Sequence, residues 1–438
     1  MARVLVLGGG LAGMAAAAAL GSSGHEVTVL EAKPFAGGRA TSYLLPGSEE
    51  PVDNCQHILL RCCVNLLDFY ERLGVRDRIT FHSEINFIEP GGRRSVMKRG
   101  KLPVPLHFLG SFTSIRFLNL GEKAAVGRAL LALKAQRGRP DLDRITMLDW
   151  LREQKQPERA IERFWRQVLV SAVNEELEHM AAAHGFQVFW LGFLAAADSY
   201  EMGIPNVPLG ELYSAEAWRG LPGVRFRFRT PVRAVEVAAD GRIAAVHSED
   251  ETLTADHYVS ALPSERVAAL LPDLGIEREA FAPSPITGIH LWFDRPVTDL
   301  PHATLLERTI QWMFNKDEGR YVQLVVSASR SLTALSRQEV IDLAVRELGE
   351  FFPAAREARL ERAQVIKEMH ATFSARPGLE ARRPVAATRY ANLSLAGDWT
   401  RSGWPATMEG AVRSGYLAAG HASRALGAPR VYLLPEIA

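Results

Sequence analysis

The chain has 438 residues, enough for two domains sharing a boundary, and its 47% hydrophobic and 23% charged residues are an ordinary globular balance. Net charge is +1, from 51 Lys and Arg against 50 Asp and Glu, which argues against nucleic acid as the main partner and still allows a local basic patch at a membrane. The three cysteines, Cys55, Cys62 and Cys63, show neither metal spacing nor a disulfide framework, so no metal site and a reducing compartment are expected.

A strand is predicted at once, Arg3 to Leu7, so no signal peptide is expected ahead of it. The turn Gly8-Gly9-Gly10-Leu11-Ala12-Gly13 follows and opens a small-residue helix, Leu11 to Leu20; a β-branched strand, Glu26 to Leu30, comes next and ends at Glu31. G-x-G-x-x-G alone is weak, but between a strand and a helix, with an acid at the end of the next strand, it predicts a dinucleotide site. Gly8 permits the tight turn, Gly10 lets the backbone approach a diphosphate at the helix N-terminus, and Gly13 lets helix and strand pack closely. Glu31 can accept from ribose hydroxyls and repels a 2′-phosphate, which argues against NADP. In Gly37-Gly38-Arg39, glycines bring the backbone close and Arg39 can neutralise a diphosphate.

Beyond residue 97 the pattern turns helical and rich in Leu, Phe and Trp up to about residue 200. Lys98 to Leu109 and Phe112 to Leu120 put basic residues beside apolar ones, which suits peripheral membrane docking; a buried segment of a substrate domain reads equally well. The longest apolar run, Phe186 to Ala197, is too short to span a bilayer. Strands return at Arg225 to Val237, Ile243 to His247 and His257 to Ala261. A mixed segment over 285–375 carries strands at Gly288 to Phe293 and Tyr321 to Ser327 and a helix at Arg337 to Phe352. The last strand, Asn392 to Ala396, leads through Gly397-Asp398 and the Trp404-Pro405 corner to a helix from Thr407 to Leu426. Asp398 can accept from a ribityl hydroxyl or flank a diphosphate, and the helix end at Thr407 and Met408 offers N–H groups that stabilise the negative charge of a reduced flavin.

Together these residues resemble the amine oxidase and phytoene desaturase flavoproteins: Gly8 to Gly13, Glu31, Gly37-Gly38-Arg39, Val232 and the block Gly397-Asp398 to Met408-Glu409-Gly410 carry the likeness. Within that superfamily the chain looks most like the hydroxysqualene dehydroxylases, also described as squalene-associated FAD-dependent desaturases. The pointers are Asp53-Asn-Cys-Gln-His57-Ile-Leu-Leu60, Leu102-Pro-Val-Pro-Leu106-His107, Phe164-Trp165, Pro285-Ile-Thr287, Ala371-Thr-Phe373 and Gly403 to Gly415. Cys55 stands where glycine is expected, Arg61-Cys62-Cys63 replaces a smaller segment, and residues 170–215 and 302–312 follow the family loosely.

The resemblance implies an α/β fold, α+β overall: a Rossmann-type FAD-binding domain of the glutathione-reductase-like kind, with an inserted helix-rich substrate domain. The FAD domain would be discontinuous (1–97, 215–284 and 385–438), with 98–214 and 285–384 forming the substrate domain. FAD would lie on Gly8, Gly10, Leu11, Ala12, Gly13, Glu31, Ala32, Gly38, Arg39, His57, Gly397, Asp398, Thr407 and Met408, with adenine on the Val232 backbone. Where covalently flavinylated relatives carry a cysteine in the C-terminal block this chain has Trp404, which implies non-covalent FAD and a substrate-pocket place for the indole.

The implied reaction is hydroxysqualene to squalene, in squalene and hopanoid synthesis. Loss of an allylic hydroxyl leaves a delocalised cation, reduced flavin delivers hydride, and an acid protonates the leaving group. Asp53, His57 and Glu409 are candidates for that acid, and the sequence does not choose; for His57, packing in the core or against the cofactor reads as well as catalysis. The implied partners are a long isoprenoid, a membrane surface and an external electron donor for FAD, at the inner face of the cytoplasmic membrane. A carotenoid or phytoene desaturase is the rival within the class. A non-catalytic prenyl-lipid carrier of the Rab-escort or GDP-dissociation-inhibitor type is the rival outside it, and the intact glycine turn with Glu31 weighs against it.

Overall fold

The computed structural model describes residues 1–45, 50–249 and 251–437. The first strand, Arg3–Leu7, lies at the centre of a five-stranded parallel sheet ordered Val224–Arg227, Glu26–Leu30, Arg3–Leu7, His257–Ser260, Leu393–Leu395. Its strands thus come from the beginning, middle and end of the chain. Arg3–Leu7, His257–Ser260 and Leu393–Leu395 are buried almost throughout because both faces of the sheet are covered.

The Leu11–Gly21 helix is buried from Leu11 through Leu20, which explains its alanine run: a helix enclosed on all sides has room only for small side chains. The Met408–Ala425 helix packs on it at Gly415, where a Cβ would stand 2.3 Å from the Ala12 carbonyl oxygen. Expected as one strand, 225–237 is two. Val224–Arg227 joins the parallel sheet, and Ala234–Val237 joins a separate three-stranded antiparallel sheet. Arg229 at φ 55° and Pro231, which lacks an N–H, break the run between them.

A seven-stranded sheet forms the second layer, ordered Leu360–Phe373, Pro283–Phe293, Tyr321–Val326, Trp312–Asp317, His302–Leu305, Ile85–Ile88, Arg94–Met97. The last two strands come from residues expected in the cofactor domain. One face of this sheet is aliphatic, with Ile289, Leu291, Ala303, Leu305, Met313, Val322 and Leu324 packed on Val340, Ala344, Leu348 and Phe351 of the Arg337–Phe351 helix. By strand alternation the opposite face carries Gly288, His290, Trp292, His302, Thr304, Trp312, Phe314, Tyr321, Gln323 and Val325.

Residues 106–194 fold as short helices around an aromatic core of Trp150, Trp165, Phe164, Phe186 and Phe189. Both buried indoles donate to glutamines, Trp150 to Gln136 and Trp165 to Gln156, at 2.9 Å each. Among the described residues no helix is long and apolar enough to cross a membrane.

Candidate functional site

The glycine turn lies at the carboxyl ends of the parallel strands, and its glycines are not equivalent. Gly8 has φ 107°, and a Cβ there would sit 2.8 Å from the Ala261 oxygen; on Gly13 it would sit 2.0 Å from the Gly8 oxygen. Both are required by the protein's own packing. Gly10 differs: the nearest atom to an added Cβ is the Gly38 Cα at 3.9 Å. The Leu11–Gly21 helix begins there with no side-chain cap and no acid in its first turn. Backbone N–H groups at that end therefore lack an anionic partner among the described residues, the condition under which a helix N-terminus can take a phosphate. Gly38, at φ 64°, closes the cradle against Gly10.

Glu31 is fixed at the end of its strand by accepting from the Gly9 N–H (2.8 Å, Oε2) and the Lys33 N–H (2.8 Å, Oε1). Each oxygen retains a second lone pair for a ribose hydroxyl. Ala32 is exposed beside it. Val232 is buried, and its carbonyl accepts from Arg266 Nη2 at 3.0 Å. Arg39 bridges the two ends of the chain, donating to Asp398 Oδ2 at 2.7 Å and to the Ala371 oxygen at 2.8 Å. Asp398 follows Gly397, whose φ of 138° turns the chain out of the last strand. Thr407 caps the Met408–Ala425 helix by accepting from the Gly410 N–H at 3.0 Å. The loop between is held by a residue the motifs do not mark: Arg383, 1% exposed, donates to the carbonyl oxygens of Asp398, Thr400 and Trp404.

Of the candidate acids, two are committed elsewhere. Asp53 is 4% exposed; its Oδ1 accepts from Ser42 Oγ (2.6 Å) and the Leu209 N–H (2.9 Å), and Oδ2 lies 3.7 Å from Lys316 Nζ. Glu409 is 1% exposed and accepts from Asn65 Nδ2 (2.8 Å), Asn65 N (3.2 Å) and Leu66 N (2.7 Å). It caps the Val64–Arg72 helix from outside, and although burial raises its pKa, its oxygens face that helix end. His57 donates from Nδ1 to the Cys55 oxygen at 2.9 Å, leaving Nε2 as an acceptor. Burial lowers its pKa, with Arg39 and Lys316 adding to the effect against Asp53, so at neutral pH the ring is uncharged and is not an acid.

The 53–57 loop covers the non-aliphatic face of the seven-stranded sheet. Gly288 permits this contact: a Cβ there would stand 3.1 Å from the Asn54 oxygen. Cys55, Met202, Phe314 and Val325, with Ile58, Leu60, Ile204, Ile286 and Trp312, form an apolar seam between loop and sheet. A bulge after Asn315 brings in Lys316, whose Nζ donates to Gln56 Oε1 at 3.0 Å. Deeper on the same sheet face His290 is fully buried, bonded through Nδ1 to Tyr321 OH at 2.7 Å, and burial pulls its pKa down to about 4. Three buried polar atoms on this face have no partner: Gln323 Oε1, His302 Nδ1 and Thr304 Oγ1. Phe314 and Lys316 went unmarked because the strand carrying them was not read as one, and His290 and Gln323, on strands that were expected, were not singled out. Trp404 is 8% exposed, donates to Glu436 Oε1 at 2.8 Å and packs with Cys62 and Leu191 at one end of the seam.

The profile of the flavin-containing amine oxidoreductases matches residues 11–422. Similar curated proteins include a 15-cis-phytoene desaturase of Synechococcus elongatus, 27% identical over 466 residues and covering 95% of each chain. A hydroxysqualene dehydroxylase of Zymomonas mobilis is 27% identical over 420 residues, covering 94% of this chain and 97% of its own. Among solved structures, an oxidoreductase from Methanosarcina mazei superposes with a TM-score of 0.70 at 18% identity, over 94% of this chain and 98% of its own. The cyclohexylamine oxidase of Brevibacterium oxydans does so at 0.69 and 18%, over 97% and 99%. These structural likenesses establish a shared mixed α/β fold.

Proposed function

We propose that this chain, which belongs to the flavin-containing amine oxidoreductase family and is an FAD-dependent oxidoreductase, reduces hydroxysqualene to squalene. The observation that carries the reading is the seam: an apolar cluster on the same sheet face as the unpartnered Gln323 Oε1, Thr304 Oγ1 and His302 Nδ1. A substrate that is hydrocarbon apart from one hydroxyl offers a partner to one such atom, which a pure polyene does not, a difference of about 1–3 kcal/mol. Neither Asp53 nor Glu409 offers a free carboxylate to attract a cationic amine.

In this reading the parallel sheet is a Rossmann-type unit of the glutathione-reductase-like kind. The helix end at Gly10, Leu11 and Ala12 would hold the diphosphate with Gly38 and Arg39. Glu31 and Ala32 would hold the ribose, the Val232 backbone the adenine, and Asp398, Thr407 and Met408 the flavin half. Reduced FAD, when bound, supplies the hydride that replaces the allylic oxygen, which leaves as water. The chain's part is to seat the allylic carbon in the seam, exclude water and supply the proton. With Asp53 and Glu409 committed, Lys316, whose Nζ donates to Gln56 Oε1 at 3.0 Å, is the basic side chain beside the seam, and His57 Nε2 is free to accept from the hydroxyl. An external donor returns FAD to its reduced state.

Peripheral attachment to the inner face of the cytoplasmic membrane belongs to the same proposal. Leu102, Val104, Leu106, Leu109 and Leu120 are exposed. Residues 98–137 hold the cations Lys98, Arg99, Lys101, Arg116, Lys123, Arg128, Lys134 and Arg137 against one acid, the buried Glu122. Phe108, expected among the inserting residues, instead packs edge-on against Tyr200 at 4.7 Å, so the leucines carry the contact.

A second reading, a desaturase working oxidatively on phytoene or a carotene, is favoured by the equal similarity to phytoene and zeta-carotene desaturases. Anaerobic incubation of the reduced holoenzyme with hydroxysqualene, and of the oxidised form with squalene and phytoene, separates the two. Squalene from the first supports the proposal; desaturated product from the second with hydroxysqualene untouched refutes it.

A further inference from the structure

A cleft of about 720 Å³ opens at some remove from the glycine turn. Its walls are Phe186, Gln187, Trp190 and Leu191 from the Ala182–Phe189 helix and the π-helical turn Trp190–Leu194 that continues it, with Gly403 and Ile437 opposite. π-Helical turns concentrate at functional sites, because the extra residue displaces side chains from the regular helical face. The rim is polar: Arg137 stacks its guanidinium 3.6 Å from the Trp190 ring centroid, and Arg401, Glu380 and Glu436 complete it.

The inner wall is not a dead end. Leu191 packs with Cys62 and Trp404, and Trp190, Leu60 and Ile437 pack against that cluster. Leu60 also packs on the seam with Cys55, Met202, Phe314 and Val325, so a single side chain belongs to both groups. Gly192 makes the contact close: a Cβ there would stand 3.2 Å from Leu60 Cδ1. An unbroken line of apolar side chains thus runs from the cleft, past Trp404, to the sheet face under the His57 loop. At the mouth the chain near Glu436 crosses over. Glu436 Oε1 accepts from the Trp404 indole at 2.8 Å and lies 3.5 Å from Arg413, and the Leu434 N–H donates to Asn65 at 2.8 Å.

We propose that this cleft is the port through which a long apolar chain reaches the seam, lined by Trp190, Leu191 and Trp404, with the Glu436–Trp404 hydrogen bond as its latch. The inference rests on the reading that the substrate is a long isoprenoid. It adds a route, a point of selection for length and a moving part. Of the cations in residues 98–137, Arg137 lies at the mouth itself.

The test is photolabelling of the FAD holoenzyme with a diazirine-bearing squalene analogue in phosphatidylglycerol vesicles, with labelled peptides mapped by mass spectrometry. Label is expected in two places: at Phe186 to Leu191 with Gly403-Trp404, and in the seam at Ile58 to Leu60 and Phe314. Leu191→Trp, which blocks the line, and Ile437→Asp, which puts a charge at the mouth, should each cut seam labelling at least tenfold at unchanged FAD content. Ile437 is half-buried at the mouth, and its substitution keeps the test valid if Leu191→Trp does not fold. Seam labelling undiminished in the folded variants, or a wild-type cleft without label, overturns the port. The labelling pattern does not depend on turnover: if it holds while hydroxysqualene is not reduced, the port stands and the assigned reaction falls.

Discussion

Gly10→Ala isolates the cofactor cradle from the fold. In the protein alone the new methyl has no neighbour nearer than 3.9 Å, and the backbone at φ −76°, ψ 176° is open to alanine. Folding should therefore be unharmed, or stabilised by about 0.4–1 kcal/mol through a less flexible unfolded chain. Bound FAD changes the sign, because the methyl then projects into the space a diphosphate occupies. Overpacking of this kind costs roughly 1–3 kcal/mol, so affinity should fall roughly 5- to 150-fold. Gly13→Ala is the contrast: its methyl would lie 2.0 Å from the Gly8 oxygen, so the apoprotein itself must distort. Thermal unfolding of both apoproteins and titration with FAD followed by flavin fluorescence give the two quantities separately. A Gly10→Ala variant that holds FAD as tightly as the parent would remove the diphosphate from this turn.

Glu31→Ala and Asp398→Ala each delete acceptors for cofactor hydroxyls and should weaken FAD retention by about 1–3 kcal/mol with the fold largely kept; full occupancy of both variants after dialysis contradicts their placement. Glu409→Ala leaves three buried N–H donors without an acceptor and should cost about 3–6 kcal/mol of stability, and Glu409→Gln about 1–3, with turnover per bound flavin within a few-fold of the parent; a Gln variant of normal stability that has lost two orders of magnitude in turnover would return Glu409 to catalysis. His257 and His302, with pKa values lowered to about 3, and His184 and His290, lowered to about 4, are all depressed by burial. Each lies below its unfolded value, so the unfolded chain takes up protons first and stability is lost as pH falls below about 6.5; by pH 5 the loss is about 2 kcal/mol per histidine. Urea midpoints at the two pH values measure this, and a midpoint that does not move toward acid pH contradicts it. Leu106→Ser with Leu109→Ser should lower flotation on anionic vesicles, and unchanged flotation removes that face from the membrane proposal.

The two ends of the chain were legible because their chemistry is local. Gly8, Gly10 and Gly13 sit in one turn, and the strand–turn–helix around them follows from apolar patterning. The antiparallel layer was less so. Leu360–Phe373 reads LERAQVIKEMHATF, whose charges on a half-exposed surface hide the alternation of a strand. Lys316 meets the His57 loop, and His290 and Gln323 come onto the same sheet face, only through strand register and a bulge, which no spacing within one segment reveals. Asp53 and Glu409 show the opposite case: a carboxylate beside a cofactor motif reads as a candidate acid, and only the fold shows the donors its oxygens already accept from. Arg383 carried no signal at all, since a buried arginine holding a loop by its carbonyls looks in sequence like any other cation.

Transfer of a hydride from the reduced FAD of this chain to hydroxysqualene is measured in a single turnover: the holoenzyme reduced with one equivalent of dithionite in deuterated water, mixed anaerobically with hydroxysqualene, with flavin absorbance followed and the product analysed. Oxidised-flavin absorbance should return as squalene forms in one-to-one ratio, with one deuterium at the carbon that bore oxygen or at its allylic partner. Flavin that stays reduced, or squalene formed without deuterium, contradicts it.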